Sequence, residues 1–131
     1  MKIKKVIIFA DGAAEPNPGP AAIGAVIKDE QGKVIAAISQ SIGRSTNNQA
    51  EYRAVIAALE KAIELGATHV DLFSDSELLV RQIKGQYRVK KAELKPLYQQ
   101  VKHLQGLLQG FTVTHVPRLQ NTEAHGLADM A

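Results

Sequence analysis

The chain contains no cysteine in its 131 residues, which excludes disulfides and any thiolate metal site. That fits a reducing compartment, and a cytoplasmic location is the expectation. Long apolar runs are missing too. Strongly apolar runs such as Val6 to Ala10 are far short of the roughly 20 residues that span a bilayer, so no membrane partner is expected. The start Met1-Lys2-Ile3-Lys4-Lys5 is basic but lacks the apolar stretch and cleavage site of a signal peptide. Repeats, low-complexity tracts and linkers are absent, so residues 1–131 read as one domain, expected to be a monomer. Charge of one sign is scarce: the net +3 permits a polyanionic partner without requiring one. What is there is globular, 45% apolar and 22% charged, in a chain long enough to bury a core.

Along the chain, Ile3 to Ala10 is a β-rich apolar run that ends at Asp11-Gly12. Gly12 to Pro20, with Pro16, Pro18, Pro20 and Gly19, reads as a loop of fixed shape. Ala22–Lys28 and Lys33–Ser41 read as strands around the hairpin signal Asp29-Glu30-Gln31-Gly32. Thr46 opens a helix, with Gln49 placed to complete a capping box. Glu51, Val55, Ala58, Ala62 and Leu65 fall on one helical stripe, so Glu51 heads the buried face, and Gly66 is a stop signal. His69–Ser74 is another short strand, followed by Asp75. Helices are expected over Glu77–Ile83, about Ala92–Leu108, and from Asn121, with a strand at Phe111–Val116. The order predicts an α/β fold, a mixed sheet with helices packed on it.

Asp11 and Asp75 share a context, each ending a β-rich run. In open α/β sheets ligands gather outside the carboxyl ends of strands. If those two strands are parallel neighbours, both acids leave one sheet edge, and Glu51 can reach it from the helix. Three carboxylates so placed repel one another unless cations neutralise them, and hard oxygen donors select Mg²⁺ or Mn²⁺. Two such ions about 4 Å apart suit in-line hydrolysis of a phosphodiester. Taken singly the acids have ordinary readings, as turn former, helix cap or complement to the helix dipole.

The surrounding residues narrow the choice. The run Asp11-Gly12-Ala13-Ala14-Glu15-Pro16-Asn17-Pro18-Gly19-Pro20 resembles the opening motif of type 1 ribonucleases H. Thr46-Asn47-Asn48-Gln49-Ala50-Glu51-Tyr52 is similar to that family's helix start, and Ser74-Asp75-Ser76 to its fourth strand end. Gly85-Gln86-Tyr87-Arg88-Val89-Lys90 follows in the family's order. Val116-Pro117-Arg118 with Asn121, Ala124, Leu127 and Ala128 resembles its ending. The resemblance spans essentially the whole chain. It implies a ribonuclease H-like five-stranded mixed sheet flanked by helices. It also implies two divalent ions per site, Mg²⁺ or Mn²⁺, and internal cutting of the RNA strand of an RNA–DNA hybrid to 5′-phosphate and 3′-hydroxyl ends. By carry-over, Asp11 bridges the metals and Glu51 and Asp75 hold the one nearer the leaving group. Asn17, Arg44, Thr46 and Asn47 match positions that grip backbone phosphates. Asn48 and Gln49 match positions near the minor groove, where 2′-hydroxyls report RNA. Gly12 and Ala13 would meet the RNA strand through backbone amides. For Asn47 and Asn48, helix capping is an equal reading.

The pattern breaks in places. Where the family has a fourth acidic ligand this chain has His125, with Asp129 one helical turn later. Three readings are open: His125 is a neutral nitrogen ligand that favours Mn²⁺, Asp129 takes the role, or the site is degenerate and only binds hybrids. The lysine-rich protrusion of many relatives is absent, because Ile83–Lys95 is too short to hold it, leaving the basic cluster Lys84, Arg88, Lys90 and Lys91. Some relatives place a histidine before the last helix. Here the residue is Arg118, which holds a phosphate but cannot shuttle protons near neutral pH. A nuclease of this fold acting on another duplex, such as double-stranded RNA, is the remaining alternative.

Overall fold

The computed structural model describes residues 4–131, so Met1, Lys2 and Ile3, the last an expected strand residue, lie outside the described residues. Strand β1 (Lys5–Ala14) is central in a five-stranded sheet of order β3-β2-β1-β4-β5. It pairs antiparallel with β2 (Gly19–Lys28), which pairs antiparallel with β3 (Val34–Ser45). On its other side it pairs parallel with β4 (His69–Ser74), and β4 pairs parallel with β5 (Gly110–His115). Tight turns suffice for the antiparallel half, whereas the parallel half needs helical crossovers. Helix α1 (Asn47–Glu64) supplies the first, and α2 (Glu77–Ile83) with α3 (Lys95–Gly106) the second. After β5, a 3-10 turn at Arg118–Gln120 leads into α4 (Thr122–Met130). The α/β expectation and the mixed sheet hold.

The helices divide between the two faces. Val6, Ile8 and Ala10 of β1 and Val70 and Leu72 of β4 alternate into a core with Val55, Ala58, Leu59 and Ala62 of α1. A Cβ on Gly12 would lie 2.3 Å from the backbone of Ala50, so β1 passes directly beneath the start of α1. Its neighbour Asp11 points to the opposite face, as does its cross-strand partner Gly24. There a Cβ on Gly24 would lie 2.2 Å from the Ala124 carbonyl of α4. Two glycines on adjacent strands thus admit two helices to opposite faces of one strand pair. Only glycine permits that approach.

Several boundaries differ from expectation. The segment from Gly12 to Pro20 is not one loop: β1 continues to Ala14 and β2 begins at Gly19, leaving residues 15–18 as the connection. The extension persists because Ala13 and Ala14 pair with Ala22 and Ala21, and Ala14, Ala21 and Ala50 bury together. The third strand likewise runs to Ser45, and α3 begins at Lys95, with Pro96 in its first turn, where a missing N–H costs nothing. Between α2 and α3, residues 84–94 hold neither helix nor strand, consistent with the short connection.

Candidate active site

The capping box that starts α1 is present: the Thr46 hydroxyl accepts from the Gln49 N–H at 3.1 Å, and the Gln49 side chain accepts from the Thr46 N–H at 2.9 Å. This fixes the helix start, and hence where Glu51 emerges. The Glu51 carboxylate accepts the Gly12 N–H, across the gap that the missing Gly12 side chain leaves. Asp11 does not end its strand, as the sequence suggests, because it still pairs with Gly24 of β2. It is, however, the first residue past the parallel ladder, whose last rung is Ala10 with Ser74. Asp11 and Asp75 therefore leave the same end of adjacent parallel strands. Asp11, Glu51 and Asp75 each place one carboxylate oxygen within 4.8 Å of the others. Behind them the buried Tyr52 hydroxyl donates to Gln82 at 2.6 Å, tying α1 to α2.

His125, carried by α4, sits on the Asp11 side of the triad. Its Nδ1 is 2.8 Å from Asp11 Oδ2 and its Nε2 is 3.3 Å from Asp129 Oδ2. The 4.8 Å grouping of metal-capable atoms among the described residues comprises the three carboxylates alone. His125 thus touches the cluster through Asp11, and Asp129, well exposed one turn further on, lies against His125. Arg118 packs its Nη2 3.1 Å and 3.3 Å from the two ring nitrogens of His125. A permanent cation therefore stands at the rim of an acidic cleft, which Asn47, Asn48 and Ser76 also line.

The remaining expected contacts are distributed unevenly. Asn47 Oδ1 accepts the Ala14 N–H at 2.7 Å, and the Asn47 N–H donates to Asn17 Oδ1 at 3.0 Å. Both asparagines therefore brace the β1–β2 connection against α1, and the Asn47 Nδ2 hydrogens are left to donate elsewhere. Thr46 and Gln49 are engaged with each other, Arg44 is exposed on β3, and Gly12 already donates its amide to Glu51. Ala13 and Asn48 line the cleft. Sequence reasoning assigned no site role to Asn121. Its Nδ2 donates to the Ala10 carbonyl at 2.9 Å and to Asp75 Oδ1 at 3.3 Å. The only available signal was its place in the final motif, at the start of the expected last helix.

Burial first, then the adjacent Asp11 carboxylate, then the more distant Asp75, hold the Glu51 carboxyl well above the usual carboxylate range, with the Gly12 N–H opposing them. This strain is what a hard cation relieves, and three oxygen donors of concentrated negative charge fit a divalent ion. A raised pKa in the fold means that Glu51 contributes stability below the ordinary glutamate range, and that this is lost as pH rises through the folded value. In EDTA near neutral pH, Glu51→Gln should therefore melt higher than the unmodified chain, with the advantage vanishing below about pH 4, where both states are protonated. Thermal unfolding against pH checks this. A lower melting point for Glu51→Gln at neutral pH would contradict it.

Residues 9–131 match the family model described as reverse transcriptase-like. The bifunctional protein Rv2228c of Mycobacterium tuberculosis is 44% identical over 97% of this chain, which spans about a third (35%) of that relative's length. The solved N-terminal RNase H domain of that protein, fused to maltose binding protein, superposes with a TM-score of 0.94, covering 97% of this chain and 98% of that one. Ribonuclease HI of Halobacterium salinarum is 39% identical over 97% of this chain and 64% of its own length. Its RNase H1 crystal structure matches at a TM-score of 0.95, over 97% and 96% of the two chains. LC11-RNase H1, crystallised with an RNA/DNA hybrid, is 40% identical with a TM-score of 0.92, over 96% and 95%. With its fold, motif order and acid cluster in agreement, the chain belongs to the reverse transcriptase-like family and, within it, to the type 1 ribonucleases H.

Proposed function

We propose that this chain, as one catalytic domain, cuts the RNA strand of RNA–DNA hybrids internally, leaving 5′-phosphate and 3′-hydroxyl ends. The observation that carries the reading is the convergence of Asp11, Glu51 and Asp75 at one end of β1 and β4. Its support is a relative of similar structure that was crystallised with such a hybrid. The three acids would hold divalent cations, Mg²⁺ or Mn²⁺, two per site. Such ions activate water and stabilise the leaving oxygen in an in-line attack on phosphorus. Asp11, held in the paired part of β1, suits the shared ligand. Asn47 and Asn48 line the approach and can donate to phosphate oxygens or 2′-hydroxyls. Arg118 brings a positive charge that lost protons cannot remove, placed for the phosphate that enters the acidic cleft. Lys84, Arg88, Lys90 and Lys91, all exposed, would add sequence-independent attraction that weakens with salt.

We assign His125 to the fourth position, a reading supported by its contact with Asp11. A neutral imidazole in place of a carboxylate leaves the site less negative, and Mn²⁺ accepts nitrogen more readily than Mg²⁺. Activity should be higher with Mn²⁺, and His125→Asp should improve use of Mg²⁺, whereas Asp129→Ala, which removes a group remote from the triad, should change little. Metal-activity titrations of these variants and of His125→Ala check the assignment. Unchanged Mg²⁺/Mn²⁺ ratios in both His125 variants would remove that residue from the site, and greater damage from Asp129→Ala would transfer the role.

The overall proposal is tested by incubating labelled hybrid, duplex RNA and duplex DNA with the protein and either ion. Internal cuts in the RNA of the hybrid are expected, and none of comparable rate elsewhere. Faster cutting of duplex RNA would reassign the substrate, and tight hybrid binding without cutting would make the chain a binding module. No helix among the described residues is long and apolar enough to cross a membrane. A cytoplasmic location and a monomeric state belong to the same proposal, and sedimentation would test the second.

A further inference from the structure

We infer that Asn121 is a positioning residue for the acid site, holding the Asp75 carboxylate in place and tying it to the helix that carries His125. Asparagine is among the residues preferred at helix N-caps, where its side chain accepts an N–H of the first turn. Asn121 occupies the N-cap of α4, yet its side chain makes no capping hydrogen bond. It turns inward instead, 1% exposed, and donates Nδ2 to the Ala10 carbonyl and to Asp75 Oδ1. Its own Oδ1 is buried with no hydrogen-bond partner among the described residues. Turning the amide over would set that oxygen against a carbonyl and a carboxylate, both acceptors, so the donor side is fixed by its surroundings.

An uncapped helix end and an unpartnered buried carbonyl both oppose stability. What the arrangement supplies in exchange is placement. The parallel ladder between β1 and β4 stops at Ala10 and Ser74, and Asn121 continues it with a side chain that bridges Ala10 to Asp75. One N–H on Oδ1 fixes the rotation of the carboxylate and leaves its other lone pairs for a cation. The Asn121 carbonyl also accepts the first backbone bond of α4, from the His125 N–H at 3.1 Å. One residue thus sets both Asp75 and the turn whose imidazole meets Asp11.

The inference rests on the divalent-metal reading of the triad, and its test begins by titrating the free protein with Mn²⁺, with no nucleic acid present. Asn121→Ser is the decisive variant. Serine can supply the cap that Asn121 forgoes but is too short to bridge Ala10 and Asp75, so the start of α4 is kept and the positioning role is lost. Mn²⁺ affinity should fall about 10- to 100-fold, the usual size for loss of a ligand's outer partner. Hybrid affinity measured in EDTA should stay unchanged, as should the KM for hybrid at saturating metal. Asn121→Leu, of similar outline and without a donor, should weaken Mn²⁺ binding at least as much. An Asn121→Ser protein that binds Mn²⁺ as the unmodified chain does would overturn the inference. So would a parallel loss of Mn²⁺ and hybrid binding, which marks a general loosening of the cleft. If the unmodified chain itself takes up no Mn²⁺, the metal reading fails instead, and the two failures are distinct.

Discussion

Asp11→Asn should lose on the order of 10³-fold in turnover while its affinity for hybrid stays close to that of the unmodified chain. The substitution keeps size and hydrogen-bonding capacity, so the strand pairing with Gly24 and the neighbourhood of His125 survive. What it removes is the negative charge of the acid in contact with both Glu51 and His125. Metal-bound charge stabilisation is worth several kcal/mol in a transition state, and each 1.36 kcal/mol is about tenfold in rate, which sets the expected size. Phosphate attraction comes from Arg118, the asparagines and the exposed lysines, so binding should not follow the rate. Single-turnover cleavage and binding of the same labelled hybrid check both halves. A rate within threefold of the unmodified chain would contradict this assignment of Asp11.

Gly24→Ala should lower turnover about 10²-fold, the cost of a displacement near 1 Å at an active site, although Gly24 meets Asp11 through its backbone and has no side chain in the site. Its Cβ would lie 2.2 Å from the Ala124 carbonyl, 2.4 Å from the Ala128 nitrogen and 2.9 Å from Leu127 Cβ. Two of these are backbone atoms that cannot rotate aside, so α4 must back away from β2. That withdraws His125 from Asp11 and Asn121 from Asp75, contacts now at 2.8 Å and 3.3 Å. Overpacking should also cost about 1–3 kcal/mol of stability. Gly126→Ala is the control. Nothing lies within 4 Å of its added Cβ, and alanine favours the helix by about 1 kcal/mol over glycine, so stability should rise and activity persist. Turnover and thermal unfolding of the two variants decide. Full activity in Gly24→Ala would show that the close approach of α4 is not needed by the site.

Much of the site was legible because its signals are local. Thr46 and Gln49 announce their helix by spacing alone, and the stripe from Glu51 to Ala62 places the acid on the inner side. Gly66, at φ +92, stands just past the end of α1 for a reason internal to that residue. His69–Ser74 and Glu77–Ile83 are bounded by equally local breakers. What escaped depends on partners distant in the chain. Gly12, Ala13 and Ala14 look like loop because small residues favour strands weakly, and only the proximity of α1 and β2 keeps them paired. Asn121 carries the composition of a cap, and nothing nearby says that Ala10 and Asp75, 111 and 46 residues away, claim its amide. Asp129 has the right periodicity for the site, and its carboxylate lies against His125 at 3.3 Å.

The claim on which the rest depends is that Asp11, Glu51 and Asp75 form a divalent-metal site. It is tested most directly by anomalous scattering from crystals of the protein grown with Mn²⁺. The account predicts a manganese peak in contact with carboxylate oxygens of all three residues, absent from Asp11→Asn crystals grown the same way. Crystals saturated with Mn²⁺ that show no peak among these carboxylates, or one that excludes Asp11, would contradict it.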